Sequence, residues 1–238
     1  MKVNRSAAFL NLAFLAAFVA AMPAHGEDAA RKAGLDPSKL SAIRGRMEEF
    51  VARGEIAGAV TLVGRPGEIL SLEAVGFRDL EAQASMKPDA IFRIASMTKP
   101  ITAIGIMILE DEGKLSTDDP LEKHLPEFKG QMVIKERVGG TVTLARPSRP
   151  ITLRDLLTHT SGLPGGPPPG LGDFYKRRDR TLAEMAMASS QRPLDFEPGS
   201  RWSYCNAGID ALGRVIEVAS GKSYESFFAE RVFIPLQG

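Results

Sequence analysis

Ser96 and Lys99 stand three residues apart in the segment 96–99 (SMTK), which fits the pattern S-x-x-K. On a helix, this spacing places both side chains on one face, one turn apart. A serine hydroxyl is a weak nucleophile, and a partly desolvated lysine near the positive end of a helix becomes a useful base. The pair therefore predicts a nucleophile and its activating base. The alternative is an exposed lysine on an ordinary helix, since a chain of this length contains about one such match by chance.

The residues around this pair favour the interpretation of Ser96 and Lys99 as a nucleophile and its base. An apolar segment, 91–95, leads into Ser96 and reads as a strand. The helix that follows, from Lys99 to Leu109, is apolar on nearly every face, so we expect it to be buried on all sides and to end at Gly113. Unpaired polar groups in such surroundings are unfavourable unless they have a function. The helix start would also direct backbone N–H groups toward an oxyanion beside Ser96.

A second candidate group is Tyr204 with Asn206, just before an apolar helix that begins near Ala207. A tyrosine near a lysine ammonium has its pKa lowered and can pass protons between a serine and a leaving group. An asparagine amide can hold both the lysine and a substrate carbonyl. The alternative is a tyrosine that packs its ring and an asparagine that caps a helix.

Asp155, His159 and Ser161 also supply the residue types of a Ser-His-Asp triad, within seven positions. A triad requires the three side chains to converge in space, and no G-x-S-x-G pattern accompanies Ser161. We therefore expect structural roles for these three residues.

The elements that must position these residues can be read in outline. Asp36 and Pro37 predict the start of a helix whose apolar residues recur at helical spacing and should pack on a sheet. Two runs rich in β-formers, 57–63 and 69–77, flank a Pro-Gly turn and predict an antiparallel hairpin. After Leu115 the chain reads as helical, with predicted helices at 152–158, 181–190, 206–219 and 223–232.

Composition excludes several classes of protein. The 238 residues are 44% hydrophobic and 25% charged, as in an ordinary globular protein. The net charge of +1 does not suggest nucleic acid or an anionic membrane as a partner. One cysteine, Cys205, excludes an internal disulfide and a multi-cysteine metal site. The three histidines, His25, His124 and His159, form no H-E-x-x-H pattern, so we expect no zinc site.

Residues 1–26 predict a signal peptide. Lys2 and Arg5 precede a run at 7–22 that is apolar except for one asparagine, and small residues at 24–26 suit cleavage. The run is shorter than the roughly 20 residues of a membrane-spanning helix, although an uncleaved anchor is an alternative. No later stretch could span a bilayer. We expect a periplasmic or secreted protein.

Three distinctive segments occur in order, at 92–99 (FRIASMTK), 156–163 (LLTHTSGL) and 196–199 (FEPG). The last of them leads to Tyr204-Cys205-Asn206. From about residue 36 onward the chain resembles the penicillin-recognising serine hydrolases, and within them class C β-lactamases and family VIII carboxylesterases. The resemblance implies an α+β fold, in which an antiparallel sheet with flanking helices packs against a mainly helical domain, with the site between them. It implies no metal and no organic cofactor.

The resemblance also implies roles for individual residues. Ser96 would be the acylated nucleophile, Lys99 its activating partner, Tyr204 the proton shuttle and Asn206 a substrate-positioning amide. Cys205 stands where the family usually has serine, and we expect this change to be silent.

The family's third motif, a lysine- or histidine-containing triplet closing on glycine, has no match after Asn206. We therefore expect the chain to be a C-terminally truncated fragment that lacks strands of the sheet, with doubtful activity. The predicted organisation is a signal peptide at 1–26, the N-terminal part of an α/β domain at 27–95, and a mainly helical domain at 96–238 that carries the catalytic motifs.

Two functions are consistent with these observations. The first is an exported serine hydrolase that acts through an acyl-enzyme on small esters or β-lactams, with D-alanyl peptides of the cell wall as a further substrate class. The second is a sensor or cell-wall peptide receptor with the same fold and no turnover. The presence of Ser96, Lys99 and Tyr204 together favours the enzyme.

Overall fold

The structure is a computed structural model and describes residues 27–65, 67–166, 172 and 179–236. The predicted signal peptide at 1–26 lies outside the described residues. The chain divides after Arg93 into two compact units. Within the described residues, every helix is too short or too polar to cross a membrane.

The first unit begins with two helices, α1 (Glu27–Lys32) and α2 (Pro37–Ala52). The Asp36 carboxylate accepts a hydrogen bond of 2.9 Å from the Ser38 backbone N–H, and Pro37 fills the first helical position, where a backbone N–H would have no partner. The predicted helix start at Asp36 and Pro37 is confirmed.

Strands β1 (Gly58–Arg65) and β2 (Glu68–Asp79) form an antiparallel hairpin, with Leu62 opposite Leu72. This confirms the hairpin predicted from the runs at 57–63 and 69–77. A short third strand, β3 (Ala84–Ser85), pairs with the end of β2 and was not predicted. Helix α2 packs on β2, as expected.

The apolar segment 91–95 does not form a strand, so that prediction is wrong. Residues 91–94 have no regular secondary structure, and the side chain of Ile91 is fully exposed. A strand requires a neighbour for its backbone N–H and C=O groups, and none of the described strands pairs with this segment. An apolar run alone does not supply that neighbour.

The second unit is built on helices around one core. The helices are α3 (Thr98–Asp111), α4 (Leu121–His124), α5 (Leu153–Leu157), α6 (Leu182–Ser190), α7 (Asn206–Ser220) and α8 (Tyr224–Phe228), with short helical turns at Ala95–Met97, Pro126–Phe128 and Ala229–Phe233. Helix α7 contacts α3, α5, α6 and α8 and lies at the centre. The helices predicted at 152–158, 181–190, 206–219 and 223–232 are confirmed within a few residues.

Helix α3 has one buried face only. Thr102, Gly105, Ile106 and Leu109 are buried, and Ile104 is 48% exposed. The expectation of burial on all sides is therefore wrong for the structure as described. Apolar residues occur on nearly every side of this helix, so the sequence pattern could not show which face is buried.

A second hairpin lies within the part of the chain that reads as helical. Strands β4 (Val133–Val138) and β5 (Thr141–Ala145) pair antiparallel through a turn at Gly139 and Gly140. Both glycines have positive φ, 54° and 83°, which side chains rarely tolerate and which two-residue hairpin turns require. The sequence prediction missed this hairpin, although its Gly-Gly pair is a hairpin signal.

Candidate active site

Ser96 lies in the short helical turn Ala95–Met97 that leads into α3. The residue before it, Ala95, has a φ of 47°, a strained conformation for a residue with a side chain. This backbone turns Ser96 onto the start of the helix, where the first N–H groups have no partner within the helix. The Met97 N–H donates to the Ile94 carbonyl, whereas the Ser96 N–H has no acceptor among the described residues.

Ser96, Lys99 and Tyr204 are in direct contact. The Lys99 ammonium donates a hydrogen bond of 3.1 Å to the Ser96 Oγ. The same Oγ lies 2.7 Å from the Tyr204 Oη, and either hydroxyl can be the donor. The Lys99 Nζ also lies 4.8 Å from the centre of the Tyr204 ring. The structure thus brings together all three residues that the sequence analysis singled out as catalytic.

Tyr204 is poised to exchange a proton. The Lys99 ammonium, and after it the Ser96 hydroxyl, hold the pKa of the Tyr204 phenol below its usual value, because both stabilise the phenolate. The phenol is exposed enough to meet a substrate. A tyrosine with a lowered pKa, 2.7 Å from a serine, can accept the serine proton and return it to a leaving group.

Asn206 opens helix α7, two residues after Tyr204, and its side chain is exposed. No hydrogen bond between its amide and Lys99 occurs among the described residues. Asn206 is therefore near the predicted catalytic group in sequence, and its amide is open to solvent. The role of a substrate-positioning amide stays a prediction.

The alternative triad does not form. Asp155 accepts two hydrogen bonds from the Arg149 guanidinium, at 2.6 and 2.9 Å, and also caps α5 through Thr152. Ser161 is buried, and its Oγ accepts a hydrogen bond from the Leu163 N–H. These two residues have structural roles, as expected.

His159 lies in the site, which the sequence analysis did not predict. Its ring centre is 4.8 Å from that of Tyr204, and its Nδ1 accepts a hydrogen bond of 3.3 Å from the Cys205 N–H. Burial, and then the charge of Lys99, lower the pKa of the imidazole. The acceptor role of Nδ1 fits the neutral ring, in which Nε2 carries the proton.

Asp210 is a second residue that sequence reasoning missed. It lies on α7, one turn after Asn206, and burial raises the pKa of its carboxyl to about 6, while the charge of Lys99 acts in the opposite direction. The only signal in the sequence was a carboxylate within an apolar helix. Within the described residues, no three His, Cys, Asp or Glu side chains are grouped so that they could hold a metal ion.

Residues 43–238 match the beta-lactamase family. The chain belongs to the beta-lactamase family. Among curated relatives, esterase EstB of Burkholderia gladioli is 38% identical over 199 residues, which are 79% of this chain and 47% of EstB. Penicillin-binding protein 4* of Bacillus subtilis (strain 168) is 32% identical over 181 residues, 73% of this chain and 35% of that protein. The chain thus spans about half or less of the length of these relatives.

Solved structures of this family have the same fold. EstCE1, a hydrolase with promiscuous acyltransferase activity, superposes with a TM-score of 0.71 at 29% identity, over 84% of this chain and 52% of EstCE1. The octameric penicillin-binding protein homologue from Pyrococcus abyssi gives 0.63 at 31% identity, over 85% of this chain and 43% of that chain. The predicted α+β fold of the beta-lactamase family is confirmed.

Proposed function

We propose that the protein is a serine hydrolase that forms an acyl-enzyme at Ser96 and acts on small carboxylic esters. One observation carries this proposal, the contact of the Ser96 Oγ with both Lys99 and Tyr204 at hydrogen-bonding distance. A surface serine has no need of two titratable partners, and such a constellation is typical of an activated nucleophile.

The acylation step follows from these contacts. The Ser96 Oγ attacks the ester carbonyl carbon and forms a C–O bond, while its proton passes to the Tyr204 oxygen 2.7 Å away. Lys99 stabilises the phenolate form of Tyr204 before the transfer and the serine oxygen during it. When the tetrahedral intermediate collapses, the bond to the alkoxide leaving group breaks and Tyr204 returns the proton to that alkoxide.

The second half of the cycle uses the same groups in reverse. A water molecule attacks the acyl carbonyl carbon and gives its proton to Tyr204. The bond to the Ser96 Oγ then breaks, and the serine recovers its proton. The Ser96 N–H, which has no acceptor among the described residues, supplies one donor to the oxyanion.

Esters are preferred over β-lactams as the proposed substrates because of the relatives. EstB is named an esterase and EstCE1 a hydrolase with promiscuous acyltransferase activity, and both match most of this chain. Penicillin-binding protein 4* matches at lower identity. Ester and β-lactam hydrolysis share the acylation chemistry, so the choice between them depends on the test. The pattern of residues 1–26 supports the further proposal that the enzyme is exported.

Covalent labelling and two assays test the proposal. The full-length protein is treated with a fluorophosphonate, and mass spectrometry is used to find the modified peptide. We expect the label on Ser96 and none in Ser96→Ala, whereas the control Ser41→Ala, on the exposed surface of α2, labels like the wild type. Rates with p-nitrophenyl butyrate and nitrocefin then separate esterase from β-lactamase activity.

The outcomes are distinct. Hydrolysis of the butyrate ester that disappears in Ser96→Ala supports the proposal. Faster turnover of nitrocefin than of the ester would overturn the substrate class but not the nucleophile. A folded wild-type protein that neither labels nor hydrolyses either compound would overturn the enzyme, and binding of cell-wall peptide by such a protein would make it a receptor.

A further inference from the structure

His159 contacts the segment that carries Tyr204 at three points. Its carbonyl oxygen accepts a hydrogen bond of 2.8 Å from the Ser203 N–H, and its Nδ1 accepts one of 3.3 Å from the Cys205 N–H. These two bonds lie immediately before and after Tyr204. The imidazole itself lies against the phenol ring between them, at an angle of 38°. Few degrees of freedom remain for the backbone on which Tyr204 sits.

The backbone of His159 is itself in an unusual conformation. Its φ is 58°, a region in which residues other than glycine are uncommon, although histidine, asparagine and aspartate occur there more often than most. This conformation places the carbonyl and the side chain of one residue on the same neighbouring segment. Unusual backbone conformations of this kind concentrate at functional sites.

The surroundings favour the neutral ring. Cys205 is buried, so its N–H requires an acceptor inside the protein, and Nδ1 can accept only when it carries no proton. The Lys99 ammonium lies 4.8 Å from the centre of the Tyr204 ring and disfavours a second positive charge on His159. The Trp202 ring lies nearly perpendicular to the imidazole, with the two ring centres 6.2 Å apart. The Nδ1 hydrogen bond and the two neighbouring rings favour one orientation of the imidazole and its neutral form.

From this geometry we infer that His159 is the positioning residue for Tyr204: its Nδ1 holds the Cys205 N–H so that the Tyr204 hydroxyl stays within reach of the Ser96 Oγ. His159 touches neither Ser96 nor the reacting atoms and acts through Tyr204 alone. This inference rests on the proposed serine hydrolase. It assigns a function to the histidine of the segment 156–163, which the sequence analysis interpreted as structural.

Three substitutions at His159 distinguish the effect of the Nδ1 acceptor from the effect of the aromatic ring. In His159→Asn, the amide oxygen takes the place of Nδ1 as acceptor, and asparagine tolerates the positive φ. In His159→Phe, the ring against Tyr204 is kept and the acceptor is lost. His159→Ala removes both. His124→Ala is the control, because His124 is a histidine whose side chain is hydrogen-bonded, to Asp119, and which lies outside the site.

The measurement is the second-order rate of fluorophosphonate labelling of Ser96 in the full-length protein, together with kcat and KM for p-nitrophenyl butyrate. We expect His159→Ala and His159→Phe to slow labelling about 10- to 100-fold, because a Tyr204 hydroxyl that is no longer held beside Ser96 is misplaced for proton transfer. The loss should fall on kcat and leave KM unchanged, because Tyr204 acts on the transition state. His159→Asn should restore most of the rate, and His124→Ala should label like the wild type.

The deciding comparison repeats His159→Ala in the Tyr204→Phe background. A residue that acts only through the Tyr204 hydroxyl has almost no further effect once that hydroxyl is gone, so we expect a difference of less than about threefold there. Equal losses in both backgrounds, or a fast His159→Phe, would overturn the inference. If His159→Ala does not fold, His159→Phe and His159→Asn decide between the same outcomes. A wild-type protein that does not label at all would instead contradict the proposed function.

Discussion

The hydroxyl oxygens of Ser96 and Tyr204 lie 2.7 Å apart, although 108 positions separate the two residues in the chain. Ser96 stands just before α3, and Tyr204 just before α7. The two helices pack against each other and bring their N-terminal ends together. The contact between the two hydroxyls is therefore a consequence of helix packing, and their separation depends on how α3 and α7 fit.

Lys99 and Tyr204 should behave as one unit in catalysis. We expect Lys99→Ala and Tyr204→Phe each to lower the rate of ester hydrolysis by roughly 10²–10⁴-fold, the usual contribution of a positioned proton-transfer group. Because both act on the same proton, the double variant should be hardly slower than the slower single variant. Rates of p-nitrophenyl butyrate hydrolysis by all four proteins test this. Multiplicative losses would show that the two residues do not share one proton relay.

The pKa of Asp210 makes stability depend on pH. Burial raises this pKa from 3.8 to about 6, so folding favours the protonated carboxyl. The contribution of the protonated Asp210 carboxyl to the free energy of unfolding is complete below about pH 4 and is lost as the pH rises through about 6. Each pKa unit corresponds to about 1.4 kcal/mol, so Asp210→Asn should gain up to about 3 kcal/mol relative to the wild type between pH 4 and pH 7.

Urea unfolding at pH 4 and pH 7 measures this gain. The control is Glu225→Gln, which removes an exposed carboxylate on α8 and should change the free energy of unfolding little. An Asp210→Asn variant with the same difference from the wild type at pH 4 and pH 7 would contradict the expected titration of Asp210.

Asp155 should make the stability of the protein depend on pH in the opposite direction to Asp210. Burial alone would raise the pKa of its carboxyl, but the Arg149 guanidinium and the Thr152 donors outweigh burial and lower it below 3.8. The contribution of the ionised Asp155 carboxylate to the free energy of unfolding is therefore present above about pH 4 and is lost as the pH falls below it. Asp155→Asn should destabilise the protein by about 2–4 kcal/mol at pH 7, because it leaves a partly buried cation without its partner.

The matched control for Asp155 is Asp118→Asn, which removes an exposed carboxylate from its ion pair with Arg154. We expect little change in the urea midpoint there, since exposed ion pairs contribute little. Equal effects of the two substitutions would show that the buried position of Asp155 is unimportant.

Gly105 lets α3 approach α7 and α8 closely. A Cβ at this position would lie 2.6 Å from the Phe228 ring and 2.8 Å from the Ile216 Cδ1. Gly105→Ala should therefore destabilise the protein by about 1–3 kcal/mol through overpacking. Gly45→Ala, within α2, meets no atom within 4 Å and should stabilise by about 0.5–1 kcal/mol. Thermal unfolding compares them, and two shifts of the same sign would contradict the packing.

The parts of the fold that could be predicted from sequence are those fixed by local signals. The cap at Asp36 and the hairpin around Gly67 depend on residues adjacent in the chain, and both are confirmed. The segment 91–95 was misread because its apolar pattern does not say whether a partner strand exists. The buried face of α3 was missed for a related reason, since isoleucines on every side hide which side packs.

In the candidate site, too, the residues related by local spacing could be predicted, and those brought together by long-range packing could not. Ser96 and Lys99 could be paired from sequence because three residues on a helix fix their distance. Tyr204 required a resemblance, since no local rule places it beside Ser96. His159 and Asp210 were missed because their surroundings come from long-range packing, which lowers the pKa of one and raises that of the other.

The hydrogen bond between Thr102 and Tyr224 has a consequence for how the protein is made. The two hydroxyl oxygens lie 2.7 Å apart across 122 positions, and the nearby Phe228 ring covers Gly105. At roughly 5–20 residues per second, a ribosome needs about 6–25 s to proceed from one residue to the other. During that interval α3 lacks its contacts with α8, and for most of it α7, on which α3 also packs, has not been synthesised either. Until both helices have emerged, the buried face of α3 is available to chaperones.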